Sequence, residues 1–284
     1  MDYRKEFRVK PDSKVKLHKR DPSGTPGCKS ETEATERVNA NAEALAHLQA
    51  KLYAEGKRSV LIVLQGLDAA GKDGTIKHAF TVLNPEGTSV ANFKQPTPLE
   101  LKHDFLWRVH PHVPAKGEIV IFNRSHYEDV LVTRVHKLID KGAWTKRYDD
   151  IRAFESLLLE AGTAILKFFL HISPEEQLRR FAERLDDPAH NWKISESDYT
   201  ERELWGRYIE AFEDALEATS TPEAPWFVIP SNHKWFRTLA VSDILTATLK
   251  DMDLRFPAPS VDLKDIRRKY HQAVTEEKDK KNNG

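Results

Sequence analysis

The sequence has little cysteine, since Cys28 is its single thiol. One cysteine excludes an intrachain disulfide and a metal cluster built on thiolates, and it is compatible with a reducing cytosol. Long apolar runs are also missing: the longest, Val60 to Leu64, is far too short to span a bilayer. The amino terminus lacks the apolar stretch that a secretory signal needs. We therefore expect a soluble, cytoplasmic protein with no membrane partner.

The chain also has no net charge, because 44 basic residues balance 44 acidic ones. A polyanionic substrate must then be attracted by a local basic groove rather than by the field of the whole molecule. Residues 1–30 contain nine Lys or Arg against four Asp or Glu, with several Pro and Gly. We interpret them as an irregular basic arm, either solvated or in contact with a polyanion. The charged segment 271–284 is interpreted as a disordered tail.

The region between these ends, residues 31–270, alternates apolar runs with helical patterns. A strand covered on both faces reads as a continuous apolar run. Such runs occur at Ser59–Gln65, Ser89–Phe93, Glu118–Phe122, Ala164–Leu170 and Trp226–Ile229. The alternation predicts an α/β domain in which helices flank a five-stranded parallel sheet. A charge-dense segment at about 179–207 is too polar to cover a sheet face, and we interpret it as a mobile helical lid.

A phosphate-binding loop is indicated directly after the first of these strands. Gly66, Gly71 and Gly74 let the backbone curl so that successive N–H groups point inward. The following helix adds partial positive charge at its amino end, and Lys72 supplies a mobile, exposed ammonium to phosphate oxygens. The position after a strand and before a helix is the context that a P-loop requires.

The metal position of this loop is altered, because Asp73 stands where Ser or Thr usually binds magnesium. Asp68, inside the loop, is the natural replacement, since a carboxylate beside phosphates becomes favourable when Mg²⁺ bridges the two. The alternative is that Asp68 caps the following helix or turn. Asp73 is better suited to complementing the helix dipole than to binding a metal.

A second polar motif, Asn123 to Val130, follows the third strand. Ligands of open α/β sheets bind outside the carboxyl ends of the strands, so this motif should face the phosphate loop. Arg124 is suited to stabilising a transferring phosphoryl group, and Glu128 or Asp129 to holding a metal-bound water or the acceptor oxygen. The alternative is an Arg124–Glu128 pair on an exposed helix face. His126 is interpreted as a structural histidine.

Several motifs occur in a fixed order along the chain: Gly66-x-Asp68-x-x-Gly71-Lys72-x-Gly74, Phe93-Lys94-x-Pro96-Thr97, Asp104 to His110, Asn123 to Val130, and Trp192-Lys193. Together they resemble the family-2 polyphosphate kinases, and the resemblance runs from roughly Lys10 to Phe256. A P-loop alone is common, whereas this ordered set is specific. The resemblance implies a three-layer, thymidylate-kinase-like P-loop kinase fold. It also implies an enzyme that depends on Mg²⁺, with Mn²⁺ as an alternative metal.

The same resemblance implies reversible transfer of phosphate from inorganic polyphosphate to AMP and ADP, giving ADP and ATP. It implies a homo-oligomer, either a dimer or a tetramer, with no nucleic-acid partner. The implied catalytic residues are Asp68, which is also the metal ligand, Lys72, Arg124, Glu128 and Arg184. The implied phosphate-binding and nucleotide-binding residues are Gly66, Ala69, Ala70, Gly71, Asp73, Gly74, Lys94, Asn123 and Lys193. Asn123, where other members carry an acidic residue, resembles the class that accepts both AMP and ADP.

Two other functions remain open from the sequence. An ATP-dependent nucleoside monophosphate kinase shares the P-loop, the sheet and an Arg-rich lid, although the altered metal position at Asp73 disfavours it. A non-catalytic module that binds nucleotide or polyphosphate would be expected to lose part of the site, whereas Asp68, Lys72, Arg124 and Glu128 are all present.

Overall fold

A computed structural model of the chain describes residues 1–282. Within these residues the strands are β1 Ser59–Gln65, β2 Thr88–Asn92, β3 Ile119–Asn123, β4 Thr163–His171 and β5 Trp226–Pro230. They form one parallel sheet in the order β2-β3-β1-β4-β5. The predicted five-stranded parallel sheet is confirmed, because each apolar run became a strand with ends shifted by one residue at most.

The helices lie between the strands and after them. They are α1 Tyr3–Phe7, α2 Glu31–Glu55, α3 Lys72–Ala79, α4 Glu128–Val135, α5 Lys141–Glu160, α6 Pro174–Asp186, α7 Glu196–Glu203, α8 Trp205–Thr219, α9 Lys234–Asp251 and α10 Leu263–Asn282. Short 3-10 turns occur at Leu17–Lys19, Pro85–Gly87, Glu100–Lys102, His110–His112 and Asn191–Lys193.

The central strand β1 is buried along its whole length, and its alternate side chains enter two separate cores. Val60, Ile62 and Leu64 pack into a core with α2, α3 and α9. Leu61 and Val63 point to the opposite face, into a core with α4, α5 and α8. Helices therefore cover both faces of the sheet, which gives the predicted three-layer arrangement. The polar carboxyl ends of β1, β2 and β3 are brought to one edge.

The amino-terminal arm is packed onto this body, which contradicts the solvated alternative, whereas contact of its basic residues with a polyanion stays a prediction. Tyr3, Phe7 and Leu17 are almost completely buried. The backbone N–H of Val9 donates to the carbonyl oxygen of Trp226 at 2.8 Å, so the arm lies along β5. The sequence signal was misleading because basic residues such as Lys5, Lys10 and Lys14 are exposed, while the fewer apolar side chains of the segment are buried.

The first part of the predicted lid segment is packed against the body. Helix α6 has a capped amino end, with the Ser173 hydroxyl accepting from the N–H of Glu176 at 3.2 Å. Its middle part belongs to the body, because Gln177 and Arg180 are buried. Exposed apolar side chains occur at Leu178 on the outer face of α6, and at Leu185, Trp192 and Tyr199 farther along the segment. The structure thus has helical segments over 179–207, and the mobility of this segment stays a prediction.

Residues 1–254 form one compact unit, and a second unit begins at Arg255. The sequence predicts a disordered tail over 271–284, whereas α10 continues to Asn282, and residues 283–284 lie outside the described part. Pairs spaced four residues apart explain the helix: Gln272 donates to Glu276 at 3.1 Å, and the Lys269 ammonium lies 2.8 Å from Asp265. Composition alone suggests disorder, but Glu and Lys are good helix formers at this spacing.

Candidate active site

The loop between β1 and α3, residues 66–71, leads from a buried strand into the amino end of a helix. Close packing requires its glycines. A Cβ atom at Gly66 would lie 2.9 Å from the carbonyl oxygen of Leu170, and one at Gly71 would lie 2.0 Å from Nη1 of Arg237. Gly71 also has a φ of +101°, in the region that favours glycine. This is the geometry in which backbone N–H groups of a loop and a helix terminus hold phosphate.

Lys72 opens α3 and is buried, which corrects the expectation of an exposed ammonium. Its Nζ donates to the carbonyl oxygens of Gly66 at 2.8 Å and Leu67 at 3.3 Å. Burial, with a smaller contribution from the nearby Arg124, lowers the pKa of Lys72 to about 8, and Asp68 opposes both effects. A phosphate beside this ammonium would supply the negative charge that the lysine lacks here, and would favour the protonated form.

Arg124 links the loop to the second motif. Its Nη2 lies 2.9 Å from Oδ1 of Asp68, and its Nη1 lies 3.1 Å from Oε2 of Glu128. The pKa of Arg124 is raised, mainly by the charge of Glu128, so this guanidinium stays protonated. The pair with Glu128 does form, but Arg124 precedes α4 with a φ of +60° and faces the loop instead of an exposed helix surface. No side chain caps the amino end of α3. The carboxylate of Asp68 pairs with Arg124 and does not cap this helix.

A polar trio lies at the carboxyl ends of β2 and β3. Nδ2 of Asn123 donates to Oδ1 of Asp73 at 2.9 Å and to Oδ1 of Asn92 at 2.8 Å. Asn92 was missed in the sequence, although a polar residue ending a strand at the loop side of the sheet is a usable signal. Asp73 is therefore bound to the second motif as well as placed in the first turn of α3.

The lid segment reaches over this edge of the sheet. Nζ of Lys193 lies 3.8 Å from Oδ2 of Asp73. Nη1 of Arg184 lies 3.4 Å from the carbonyl oxygen of Lys193, and 3.7 Å from Oδ1 of Asp198. Both cations are thus held by groups that a phosphate oxygen could replace.

A cleft of about 1270 Å³ lies between the loop, the strand ends and the lid. Most of the predicted site residues line it: Asp68, Ala69, Gly71, Lys72, Asp73, Gly74, Lys94, Asn123, Arg124, Arg184 and Lys193. Gly66 and Glu128 instead line a smaller cavity that adjoins the cleft through Asp68 and Arg124. Ala70 belongs to the loop, and its side chain is buried in the body.

Residues 28–257 of the chain match the family model of Polyphosphate kinase 2 (PPK2). This match covers the sheet, the loop, the second motif and the lid. The chain belongs to the polyphosphate kinase 2 family.

Two relatives and one solved structure resemble this polyphosphate kinase 2 chain over almost their whole length. It is 51% identical over 259 residues to an AMP/ADP-polyphosphate phosphotransferase of Meiothermus ruber, covering 90% of this chain and 96% of the relative. It is 41% identical over 265 residues to an ADP-polyphosphate phosphotransferase of Rhodopseudomonas palustris, covering 89% and 92%. The crystal structure of Polyphosphate Kinase 2 from Arthrobacter aurescens TC1 superimposes with a TM-score of 0.93, at 40% identity, covering 96% and 97%.

Two buried arginines support the loop of this polyphosphate kinase 2 chain from behind. Nη1 of Arg180 donates to the carbonyl oxygens of Ala69 at 2.7 Å and Ala70 at 3.0 Å. Nη1 of Arg237 also donates to Ala70, at 3.3 Å. The sequence analysis places Arg180 in the predicted lid, and it does not identify Arg237 as a residue of the site. The available signal was a charged residue on the apolar face of a helix, as at Arg237 between Phe236 and Leu239.

The remaining polar residues of the second motif point away from the cleft. Nη1 of Arg147 lies 3.3 Å from Oδ1 of Asp129, and burial raises the pKa of Asp129 to about 6. Glu128, and not Asp129, is therefore the acid beside Arg124. His126 is buried next to Glu155, and burial lowers its pKa, which agrees with a structural role.

No helix within residues 1–282 combines the length and the apolar content that crossing a membrane requires.

Proposed function

We propose that this chain transfers a phosphoryl group from inorganic polyphosphate to AMP, and then a second one to the ADP formed. The observation that carries the proposal is the cleft in which a P-loop, an Arg124 guanidinium and two lid cations converge. A linear polyanion suits a long cleft lined by separated cations. The names of the Meiothermus ruber and Rhodopseudomonas palustris relatives support polyphosphate as donor, and adenine nucleotides as acceptors.

In the proposed mechanism the protein mainly binds and orients phosphates, because phosphoryl transfer requires little covalent chemistry from side chains. The loop N–H groups and Lys72 hold the phosphate chain. Arg124 stabilises charge on the transferring group, with its direction fixed by Asp68 on one side and Glu128 on the other. Arg184 exchanges its contact with Asp198 for phosphate oxygens and closes the cleft.

The residues of the loop fit a magnesium ion. No group of three or more His, Cys, Asp or Glu side chains within the described residues could enclose a metal. Mg²⁺ does not need such a group, since it is commonly held by one or two carboxylates together with substrate phosphates and water. Asp68 would hold it, with Mn²⁺ as an alternative. The ion would supply charge neutralisation to the phosphates. A homo-oligomer, the lack of a nucleic-acid partner and a cytoplasmic location stay predictions.

Acceptance of both AMP and ADP is proposed from Asn123. Its amide lies between Asp73 and Asn92 at the loop edge, where an aspartate would place a second carboxylate 2.9 Å from Asp73. A neutral side chain avoids this repulsion and adds no negative charge beside an incoming acceptor phosphate. Mono- and diphosphate acceptors are then both tolerated.

A time course with purified protein, Mg²⁺, AMP and excess polyphosphate tests the proposal. ADP is expected to rise first and then fall as ATP accumulates, and chromatography of the nucleotides follows both. ADP that reaches a plateau without ATP would limit the acceptor to AMP. Product formed from ATP as donor, and not from polyphosphate, would identify a nucleoside monophosphate kinase. No product from either donor would indicate a binding module.

The pH dependence should follow Lys72. Because its pKa is lowered from 10.5 to about 8, the ammonium is lost as the pH rises through about 8 in the free enzyme. We expect kcat/KM for polyphosphate to be level below that pH and to fall above it, by up to about tenfold per pH unit. Bound phosphate raises the pKa of the lysine, so the fall in kcat is expected at higher pH.

The measurement is a set of initial rates between about pH 6 and pH 10 at constant ionic strength. Lys72→Arg is the control, because the ordinary pKa of a guanidinium lies well above that of an ammonium. A fall in kcat/KM with the same midpoint in Lys72→Arg would assign the titration to another group.

A further inference from the structure

Arg237 lies in the first turns of α9, directly behind the phosphate loop. Its side chain is buried, and its guanidinium touches the backbone where the loop becomes a helix. A Cβ atom at Gly71 would lie 2.0 Å from Nη1, and one at Gly74 would lie 3.0 Å from Nη2. The second and third glycines of the motif therefore leave the room that this guanidinium occupies.

The charge of Arg237 has little compensation within the protein. Its Nη1 donates to the carbonyl oxygen of Ala70 at 3.3 Å, while its buried Nε has no hydrogen-bond partner. Burial, with a smaller contribution from the charge of Arg180, lowers the pKa of Arg237 to about 9, and the charge of Glu176 opposes this only in part. Arg180 differs in having a carboxylate, since its Nε lies 2.7 Å from Oε1 of Glu176. Glu176 is shared with Arg179 as well.

A buried cation without a counter-ion is costly, and one that merely filled space could be replaced by an apolar side chain. The missing negative charge has an obvious source in phosphates bound on the other side of the loop. The hydrogen bond from Arg237 to the Ala70 oxygen also orients the peptide between Ala70 and Gly71. In a trans peptide the C=O and the N–H point opposite ways, so a donor on the Ala70 oxygen directs the Gly71 N–H away from Arg237. Gly71 lines the cleft.

We propose that Arg237 is a positioning residue for the phosphate donor, a buried cation whose counter-charge is supplied when polyphosphate binds to the loop. This inference rests on the proposed function. Arg237 acts through the peptide between Ala70 and Gly71 and through its charge, without contact with the donor. The proposed function places the acceptor phosphate beside Asn123, so binding of the nucleotide is not expected to depend on Arg237.

The test uses Arg237→Met, which keeps most of the side-chain length and removes the charge. Melting temperature is measured with Mg²⁺, in the absence and presence of inorganic tripolyphosphate, which probes binding without transfer. We expect the ligand-free melting temperature to be unchanged or higher, and the stabilisation by tripolyphosphate to fall clearly. In steady-state assays KM for polyphosphate should rise about fivefold or more, while KM for AMP and kcat change little.

Two further variants serve as controls. Lys250→Met removes one positive charge from an exposed position on the same helix, and should behave as the wild type. Arg237→Lys keeps the charge, and should recover most of the tripolyphosphate stabilisation. A purely structural arginine predicts the opposite pattern, with a lower ligand-free melting temperature and unchanged stabilisation and KM. That pattern, or an Arg237→Met protein that fails to fold, would overturn the inference.

The outcome also separates this inference from the proposed function. A wild-type protein that tripolyphosphate does not stabilise, and that does not use polyphosphate as donor, would overturn the proposed function and the role of Arg237 together. A wild-type protein that responds normally, next to an Arg237→Met protein that responds equally well, would overturn the role of Arg237 alone.

Discussion

Lys72→Met is expected to lower the rate of polyphosphate-dependent phosphorylation of AMP by about a thousandfold, because the loop loses the cation that contacts the transferring phosphates. The fold should survive. The ammonium is a buried charge with a lowered pKa, held by the carbonyl oxygens of Gly66 and Leu67 at the edge of a wet cleft. Methionine fills similar space without that charge, so the melting temperature should change by a few degrees at most, on the order of 1 kcal/mol.

The measurement is kcat and kcat/KM for polyphosphate with AMP, together with the melting temperature. Lys116→Met is a matched control, since it removes the same charge from an exposed loop before β3 and should leave the rate unchanged. Near-normal turnover by a folded Lys72→Met protein would remove the loop lysine from the mechanism. A large loss of rate with a collapsed melting temperature would instead mean that Lys72 supports the structure.

The strands could be predicted because β1, β3, β4 and β5 are covered on both faces, which leaves continuous apolar runs in the sequence. The loop could be predicted because its glycines and Lys72 stand between such a run and a helix. The segment containing Arg124 was predicted on the same edge, because parallel strands end together. The loop and this segment could therefore be predicted from local patterns in one sequence.

Other features depend on contacts between distant parts of the chain, which a local pattern does not contain. Arg180 and Arg237 are charged residues that sequence rules assign to a surface, yet both are buried against the carbonyl oxygens of one loop. The packing of residues 1–30 also depends on distant contacts, because this segment lies against β5 and α9. Its basic composition gives no indication of these contacts.

Asp68→Asn should lower the rate of polyphosphate-dependent phosphorylation of AMP by about a hundredfold or more, and the structure gives two separable reasons. As a carboxylate in the loop, Asp68 is suited to hold Mg²⁺ beside the phosphates. As the partner of Arg124 at 2.9 Å, it also fixes the direction of the guanidinium. An amide weakens both interactions, because it binds metal poorly and carries no charge.

Glu128→Gln separates the two reasons, because Glu128 is the other partner of Arg124, at 3.1 Å, and lies outside the main cleft. If Asp68 holds the metal, Asp68→Asn should raise the Mg²⁺ concentration needed for half-maximal activity, and for stabilisation by tripolyphosphate. Glu128→Gln should lower kcat and leave both Mg²⁺ requirements unchanged. Equal Mg²⁺ requirements in all three proteins would restrict Asp68 to holding Arg124. Normal activity of Asp68→Asn would exclude both roles, since neither the metal site nor the guanidinium would then depend on the carboxylate.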